Sequence, residues 1–311
     1  MSSTHRSIAN VKNIAAVLGT DAIVAAPAAS DAQSGTWGGG AGKSKGTGRY
    51  AEVNGIKLYY ETHGTGRPLI LLHGGLGSSD MFGPNLPALS KGRQVIAVDL
   101  QGHGRTADID RPLSVEFMAD DIAALINHLG LTRPDIMGYS LGGGVALQTA
   151  IRHPETVGKL VIVSTPFRRN GFYADILRQQ AQVTAEAAEA MKQTPMYQLY
   201  ASIAPRPQDW PRLLGKIGEA MKKDFDLSDQ IAGIKATTLV VAADADIFPP
   251  SHAVEMFSLL GGGQRDPGWD GAGRPKSQLA IVPGFTHYNL FAAPALSAVV
   301  IPFLDAPDPK G

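Results

Sequence analysis

Apolar positions along this chain fall into short unbroken runs separated by amphipathic stretches. Pro68-Leu69-Ile70-Leu71-Leu72, Gln94-Val95-Ile96-Ala97-Val98, Leu160-Val161-Ile162-Val163, Thr238-Leu239-Val240-Val241-Ala242 and Leu279-Ala280-Ile281-Val282 show little polar alternation. Runs of this length, bounded by Gly, Ser and Asp, read as strands covered on both faces. Asp135-Ile136-Met137 is a shorter run that leads into Gly138. Ahead of them, Tyr50-Ala51-Glu52-Val53 and Ile56-Lys57-Leu58-Tyr59-Tyr60 flank Asn54-Gly55, the signature of a β-hairpin. Helical patterns lie between the strands. Ser114 to Leu129 is amphipathic, with Ser114 as N-cap and Gly130 as stop. Further helices are predicted from Val145 to Arg152, Ser251 to Leu260 and Pro294 to Leu304.

Buried strands alternating with helices predict an α/β fold with a mostly parallel central sheet flanked by helices. The alternation breaks from Pro166 to Lys235, where no strand is evident and Ala174 to Met191 and Trp210 to Phe225 favour helix. That stretch is expected to be a helical insertion. Gly261 to Ser277 reads as an irregular Gly-rich loop carrying Trp269.

Before Arg49 the pattern changes. Met1 to Asn13 is polar with His5, Arg6 and Lys12, Ile14 to Ala29 is rich in Ala, Val and Ile, and Ala26-Pro27-Ala28 resembles a small-residue cleavage site. These are the parts of a secretory leader, but Asp21 interrupts the apolar stretch, so a disordered tail is the competing reading. The protein is accordingly cytoplasmic, or exported if that leader functions. The stretch is too short and too polar to span a membrane. Ser34 to Thr47, with few apolar residues and many glycines, reads as a flexible linker. The expected division is therefore a tail over 1–48, a core over 49–165 and 236–311, and a helical cap over 166–235.

Charge and composition narrow the chemistry. The 28 Lys and Arg balance the 28 Asp and Glu, so there is no basic footprint for nucleic acid and no polybasic membrane surface. The absence of cysteine excludes thiol catalysis, disulfides and Cys-based metal sites. The eight histidines contain no H-x-x-x-H pair.

The candidate chemistry centres on Gly138-Tyr139-Ser140-Leu141-Gly142, which lies between a strand and a helix. Glycines on both sides permit a sharp turn that lifts Ser140 above the sheet edge. The N–H of Leu141 then lies at a helix N-terminus, where a developing oxyanion can be held. A serine hydroxyl needs an adjacent base. His287, after the last strand, is the candidate, since imidazole exchanges protons near neutral pH. Two aspartates, Asp244 and Asp246, follow a late strand, and only one can orient the imidazole. His73 and His103, in Gly-rich turns, are expected to brace loops, although His103 is a conceivable second base. His252 is expected at the surface, and Asp120 and Asp121 on a solvated helix face. Among the aromatics of the insertion, Tyr200 and Trp210 are candidate substrate contacts, as is Tyr139.

Taken together, His73-Gly74-Gly75 after an early strand, Gly138-Tyr139-Ser140-Leu141-Gly142, Asp244-Ala245-Asp246 with Pro250, and Gly284-Phe285-Thr286-His287 resemble the α/β-hydrolase fold superfamily in kind and order. The resemblance covers Arg49 to Leu304. Within the superfamily the chain is most similar to the bacterial group of small esterases, cofactor-free haloperoxidases, enol-lactonases and carbon–carbon bond hydrolases. The resemblance implies a Ser–Asp–His triad and a cap inserted after the sixth strand. It favours Asp246 as the acid, because the second aspartate of D-x-D-x-x-x-P holds that place and Pro250 sets the register. It also supplies the second oxyanion donor, the N–H of Gly75.

The function expected is hydrolysis of a small or medium carboxylic ester or lactone through an acyl-enzyme, requiring no metal or organic cofactor. The same triad serves carbon–carbon hydrolysis and perhydrolysis. A non-enzymatic binding protein on the same fold is the reading from another class, and the Ser140, Asp246 and His287 set argues against it. The oligomeric state is left open.

Overall fold

The computed structural model describes residues 47–307. The first strand starts at Thr47, so all but the last two residues of the expected 1–48 tail lie outside the described residues, as does the leader-like stretch.

Eight strands form one sheet: β1 (Thr47–Val53), β2 (Ile56–His63), β3 (Arg67–Leu72), β4 (Arg93–Asp99), β5 (Asp135–Tyr139), β6 (Leu160–Val163), β7 (Thr238–Ala245) and β8 (Gln278–Thr286). Their spatial order is β1-β2-β4-β3-β5-β6-β7-β8. The hairpin pair β1–β2 and the β2–β4 pair are antiparallel, and every pairing from β4 to β8 is parallel. Asn54 and Gly55 both adopt positive φ, which the tight β1–β2 turn requires.

The helices are α1 (Asn85–Leu89), α2 (Val115–His128), α3 (Leu141–Arg152), α4 (Ala174–Gln180), α5 (Pro195–Ile203), α6 (Trp210–Lys222), α7 (Ser228–Ile231), α8 (Pro250–Leu259) and α9 (Pro294–Asp305). Ser114 caps α2 by accepting the Phe117 N–H. The unbroken apolar runs are explained by two cores, one on each face of the sheet. Ile70, Leu72, Leu160 and Ile162 pack into one. Their chain neighbours Leu69, Leu71, Val161 and Val163 pack into the other. Alternate side chains of a strand leave opposite faces, so a strand covered on both sides must be apolar throughout.

Helices α4 to α7 and several 3-10 turns occupy the stretch between β6 and β7. Where it leaves and rejoins the sheet, Leu227 donates its N–H to Phe167 O and Arg169 donates to Phe225 O, so entry and exit strap each other. His252 backs this root. Its Nε2 accepts the Phe167 N–H at 3.2 Å and its ring stacks on Phe167 at 4.2 Å. The expectation of a surface His252 is therefore corrected: it is buried, and desolvation lowers its pKa to about 4.

A second anchor holds the insertion to the loop before α2. Lys216 of α6 donates to Asp108 Oδ2 at 2.6 Å and to the carbonyls of Ile109 and Arg111, and Arg212 Nε meets the same carboxylate. Nearby, Asp121 pairs with Arg111 and Asn54 and is buried, so it does not lie on a solvated face. Asp120 is half-buried against Arg152 and His153. The Asn54 pairing is long-range in sequence, which is why helix periodicity alone misplaced Asp121.

Candidate active site

Ser140 stands between β5 and α3 with φ 53° and ψ −117°, a backbone conformation unusual for a residue with a Cβ. Holding it there costs about 1–3 kcal/mol, which the surrounding packing must supply. Two glycines make the turn sterically possible. A Cβ on Gly138 would lie 2.1 Å from Gly142 O, and one on Gly142 would lie 2.4 Å from Leu72 O. Strand and helix therefore approach closely enough that any side chain at either position would break the turn. Below the serine, its N–H donates to Val163 O, and Thr165 Oγ1 donates to its carbonyl.

The structure brings Ser140, His287 and Asp246 together from three separate loops. His287 Nε2 is 3.1 Å from Ser140 Oγ, and His287 Nδ1 is 2.8 Å from Asp246 Oδ1. With Nδ1–H donating to the carboxylate, Nε2 is left as an acceptor facing the serine hydroxyl. Asp246 is buried and fully engaged. Oδ1 also accepts the Ile247 N–H at 2.8 Å, and Oδ2 accepts the Ser164 hydroxyl at 2.6 Å and the Ala243 N–H at 3.2 Å. Burial pushes this carboxyl up, but the charge and hydrogen bond of His287, the Ser164 hydroxyl and the Ile247 N–H outweigh it and hold the pKa below the ordinary value. Asp244 instead accepts the Gly284 N–H at 2.9 Å, is exposed, and tethers β7 to β8.

Gly75 and Leu141 line the cavity beside Ser140, and neither N–H donates to a protein acceptor among the described residues. Tyr139 lies beneath them. Its hydroxyl donates to His287 O at 2.6 Å, and its ring sits 5.2 Å from the imidazole and 5.1 Å from Phe291. Burial raises its pKa far above the usual phenol value, so it stays a neutral donor.

His73 and His103 act as loop braces. His73 Nδ1 donates to Gly74 O and its Nε2 accepts the Leu100 N–H, and both rings are wholly buried. Desolvation lowers their pKa values to about 4 and about 3, so both remain neutral.

Above the serine lies a cavity of about 300 Å³. Its walls come from α3, from the insertion and from the loops carrying His287 and Ile247; Leu141, Phe172, Ile176, Met221 and Ile247 make it mostly apolar. Tyr200 and Trp210 do not line it. Trp210 donates its indole N–H to Ala188 O and packs on Tyr197 and Tyr200, buried within the insertion. Their expected substrate contact is thus corrected: Tyr200 of α5 and Trp210 at the start of α6 pack on each other within the core cluster on one face of the sheet. Sequence reasoning missed Ser164, Thr165, Gln148 and Tyr288. Only Ser164 had a signal, as a polar residue directly ending the buried β6 run.

Among the described residues, no cluster of three or more His, Cys, Asp or Glu could hold a metal ion, and no helix is long and apolar enough to cross a membrane.

Comparison with known proteins agrees with this fold. The α/β-hydrolase fold family model matches residues 67–194. A protein of Azorhizobium caulinodans, provisionally named carbamate hydrolase RutD, is 28% identical over 226 residues, covering 67% of this chain and 84% of its own. A bacterial membrane phospholipase A superposes with a TM-score of 0.67 at 21% identity, over 84% of this chain and 86% of that one. The enol-lactonase from Burkholderia xenovorans LB400 superposes with a TM-score of 0.62 at 23% identity, over 83% of this chain and 100% of that one. Sheet order, family match and structural likeness converge: this chain has the α/β-hydrolase fold.

Proposed function

We propose that this α/β-fold hydrolase is a serine enzyme cleaving a small or medium carboxylic ester or lactone. The observation that carries the reading is the unbroken hydrogen-bonded chain from Ser140 Oγ through His287 to Asp246 on the floor of an apolar cavity. His287 Nε2 takes the Ser140 proton as Oγ adds to the substrate carbonyl carbon. The oxyanion accepts from the N–H groups of Gly75 and Leu141, of which the second gains from the α3 N-terminus. The imidazolium is stabilised by Asp246 and returns the proton to the departing alcohol. Water, deprotonated by His287, then releases the acid and restores Ser140. Residues 166–235 serve as the cap that selects substrate, since Phe172, Ile176 and Met221 wall the cavity but none enters the proton relay.

A carbamate is the second reading, favoured by the relative named for that activity. It presents the same kind of carbonyl to Ser140, with a nitrogen in place of the acyl carbon chain. Purified protein should hydrolyse p-nitrophenyl esters, and Ser140→Ala should lower kcat by about 10⁴-fold or more with the fold intact. A fluorophosphonate should label Ser140. Near-wild-type turnover in Ser140→Ala would overturn the assignment, and hydrolysis of carbamates in preference to esters would favour the second reading.

A further inference from the structure

Two amides break the apolar lining of the cavity. Gln148 comes from α3, and Gln180 is the last residue of α4 in the insertion. They are 5% and 6% exposed, respectively. Neither side chain has a hydrogen-bond partner among the described residues. Both residues line the cavity, and their amide atoms are not among the fully buried ones that lack a partner. A nearly buried amide left unpaired costs about 1–3 kcal/mol. The two amides that line the cavity, one from the core and one from the insertion, are polar groups that a cavity occupant can satisfy.

Helix geometry fixes where that point lies. Leu141, Gly144 and Gln148 all line the cavity, at spacings that put them on one face of α3. Gln148 is eight residues beyond Ser140, roughly 12 Å along the axis, and its side chain leans back toward the N-terminus. The amide therefore meets a substrate several bonds from the scissile carbonyl. Gln180 lines the same cavity from the insertion, so core and insertion each present an amide to its occupant.

The kind of group follows from the donor set. Each glutamine offers both donor and acceptor. The charged residues that line the cavity, Glu116, Lys223 and Asp224, are all exposed and belong to its rim. A carboxylate beside the two glutamines would be desolvated among Leu141, Ile176 and Ile217 without a counter-charge, which is costly. We propose that Gln148 and Gln180 form a recognition point for an uncharged hydrogen-bonding terminus, of the primary-amide or ketone type, on the acyl part of the substrate. This inference rests on the ester-hydrolase reading and extends it to a substrate class.

The test uses three p-nitrophenyl esters: that of adipic acid monoamide, its isostere with an isopropyl group in place of the terminal amide, and that of adipic acid with its free carboxylate. p-Nitrophenyl acetate, too short to reach Gln148, is run on wild type and Ser140→Ala. Failure of Ser140-dependent acetate hydrolysis would sink the ester-hydrolase reading itself. With that activity present, kcat/KM of wild type should favour the amide over the carboxylate by about tenfold or more. Gln148→Met and Gln180→Met keep side-chain length and should each lower the amide-to-isopropyl ratio of kcat/KM by about tenfold. The loss should fall mainly in KM. An unchanged ratio in both variants, or a wild-type preference for the carboxylate, would overturn the inference. The amide-to-carboxylate comparison needs no variant, so it still decides the matter if either mutant folds poorly.

Discussion

Tyr139 donates its hydroxyl to the backbone carbonyl of His287 at 2.6 Å, so the residue preceding the proposed nucleophile also fixes the loop carrying its proposed base. The contact joins positions 148 residues apart. It explains how a histidine in an irregular loop holds a 3.1 Å approach to Ser140. Tyr139→Phe keeps the ring packed against Phe291 but leaves a buried carbonyl unpaired, a loss of about 1–3 kcal/mol. The expected result is a Tm lower by several degrees and a kcat reduced about tenfold with KM little changed. Kinetics and thermal melts on the same preparation check this. A Tm loss with unaltered kcat would mean that the bond serves stability alone.

The two aspartates after β7 separate cleanly by geometry. Asp246→Asn would present an amide to His287 Nδ1 and stabilise the wrong tautomer, lowering kcat by about 10³–10⁴-fold. Asp244→Asn keeps an oxygen able to accept the Gly284 N–H and should change kcat less than about threefold, with a stability change near 0.5 kcal/mol. Steady-state kinetics of both variants decide the assignment, and a severe lesion at Asp244 with a silent Asp246 would reverse it.

Much of this is legible in the sequence alone. The strands are readable because burial on both faces leaves unbroken apolar runs, and Ser140 because only glycine fits at Gly138 and Gly142. His252, Asp121 and the pair Tyr200 and Trp210 are misplaced by sequence for one shared reason. Each is buried by a partner on another element: Phe167 for His252, Arg111 and Asn54 for Asp121, and Ala188 and one another for the aromatics. Periodicity reports that a face is covered, not what covers it. The amides Gln148 and Gln180 are invisible as well, since a polar residue in a helix reads as solvated until the facing element is known.

The anchor between α6 and the loop before α2 should respond to acid. Burial pushes the Asp108 carboxyl up, but Lys216, Gln101 and Arg212 outweigh it and hold its pKa below the ordinary value. A carboxyl depressed in the folded state gives stability that is complete above its unfolded pKa of about 3.9. That stability is lost as pH falls through the lower folded value. Asp108→Asn leaves Lys216 two carbonyl acceptors and should cost about 1–3 kcal/mol at neutral pH. Between about pH 4 and pH 2 the wild type should lose stability more steeply than the variant, so the two curves converge. Urea unfolding at a series of pH values measures this, and parallel curves would remove Asp108 from the acid response.

Ser164 is the contact that most directly separates positioning from packing. Its hydroxyl donates to Asp246 Oδ2 at 2.6 Å, and its backbone sits at φ 50°, where a side chain is strained. Ser164→Ala and Ser164→Gly both delete the donor, but only glycine relieves the strain. If the hydroxyl aims Asp246 at His287, both variants should lose kcat alike, by about tenfold, although Ser164→Gly folds more stably than Ser164→Ala by about 1 kcal/mol. Removing a donor from a carboxylate also disfavours its charged form, so Asp246 would protonate at a higher pH in both. A less firmly ionised Asp246 supports the imidazolium less well, which is how the lost hydroxyl would lower kcat. A merely structural serine would give kcat values that track stability, with Ser164→Gly nearer wild type.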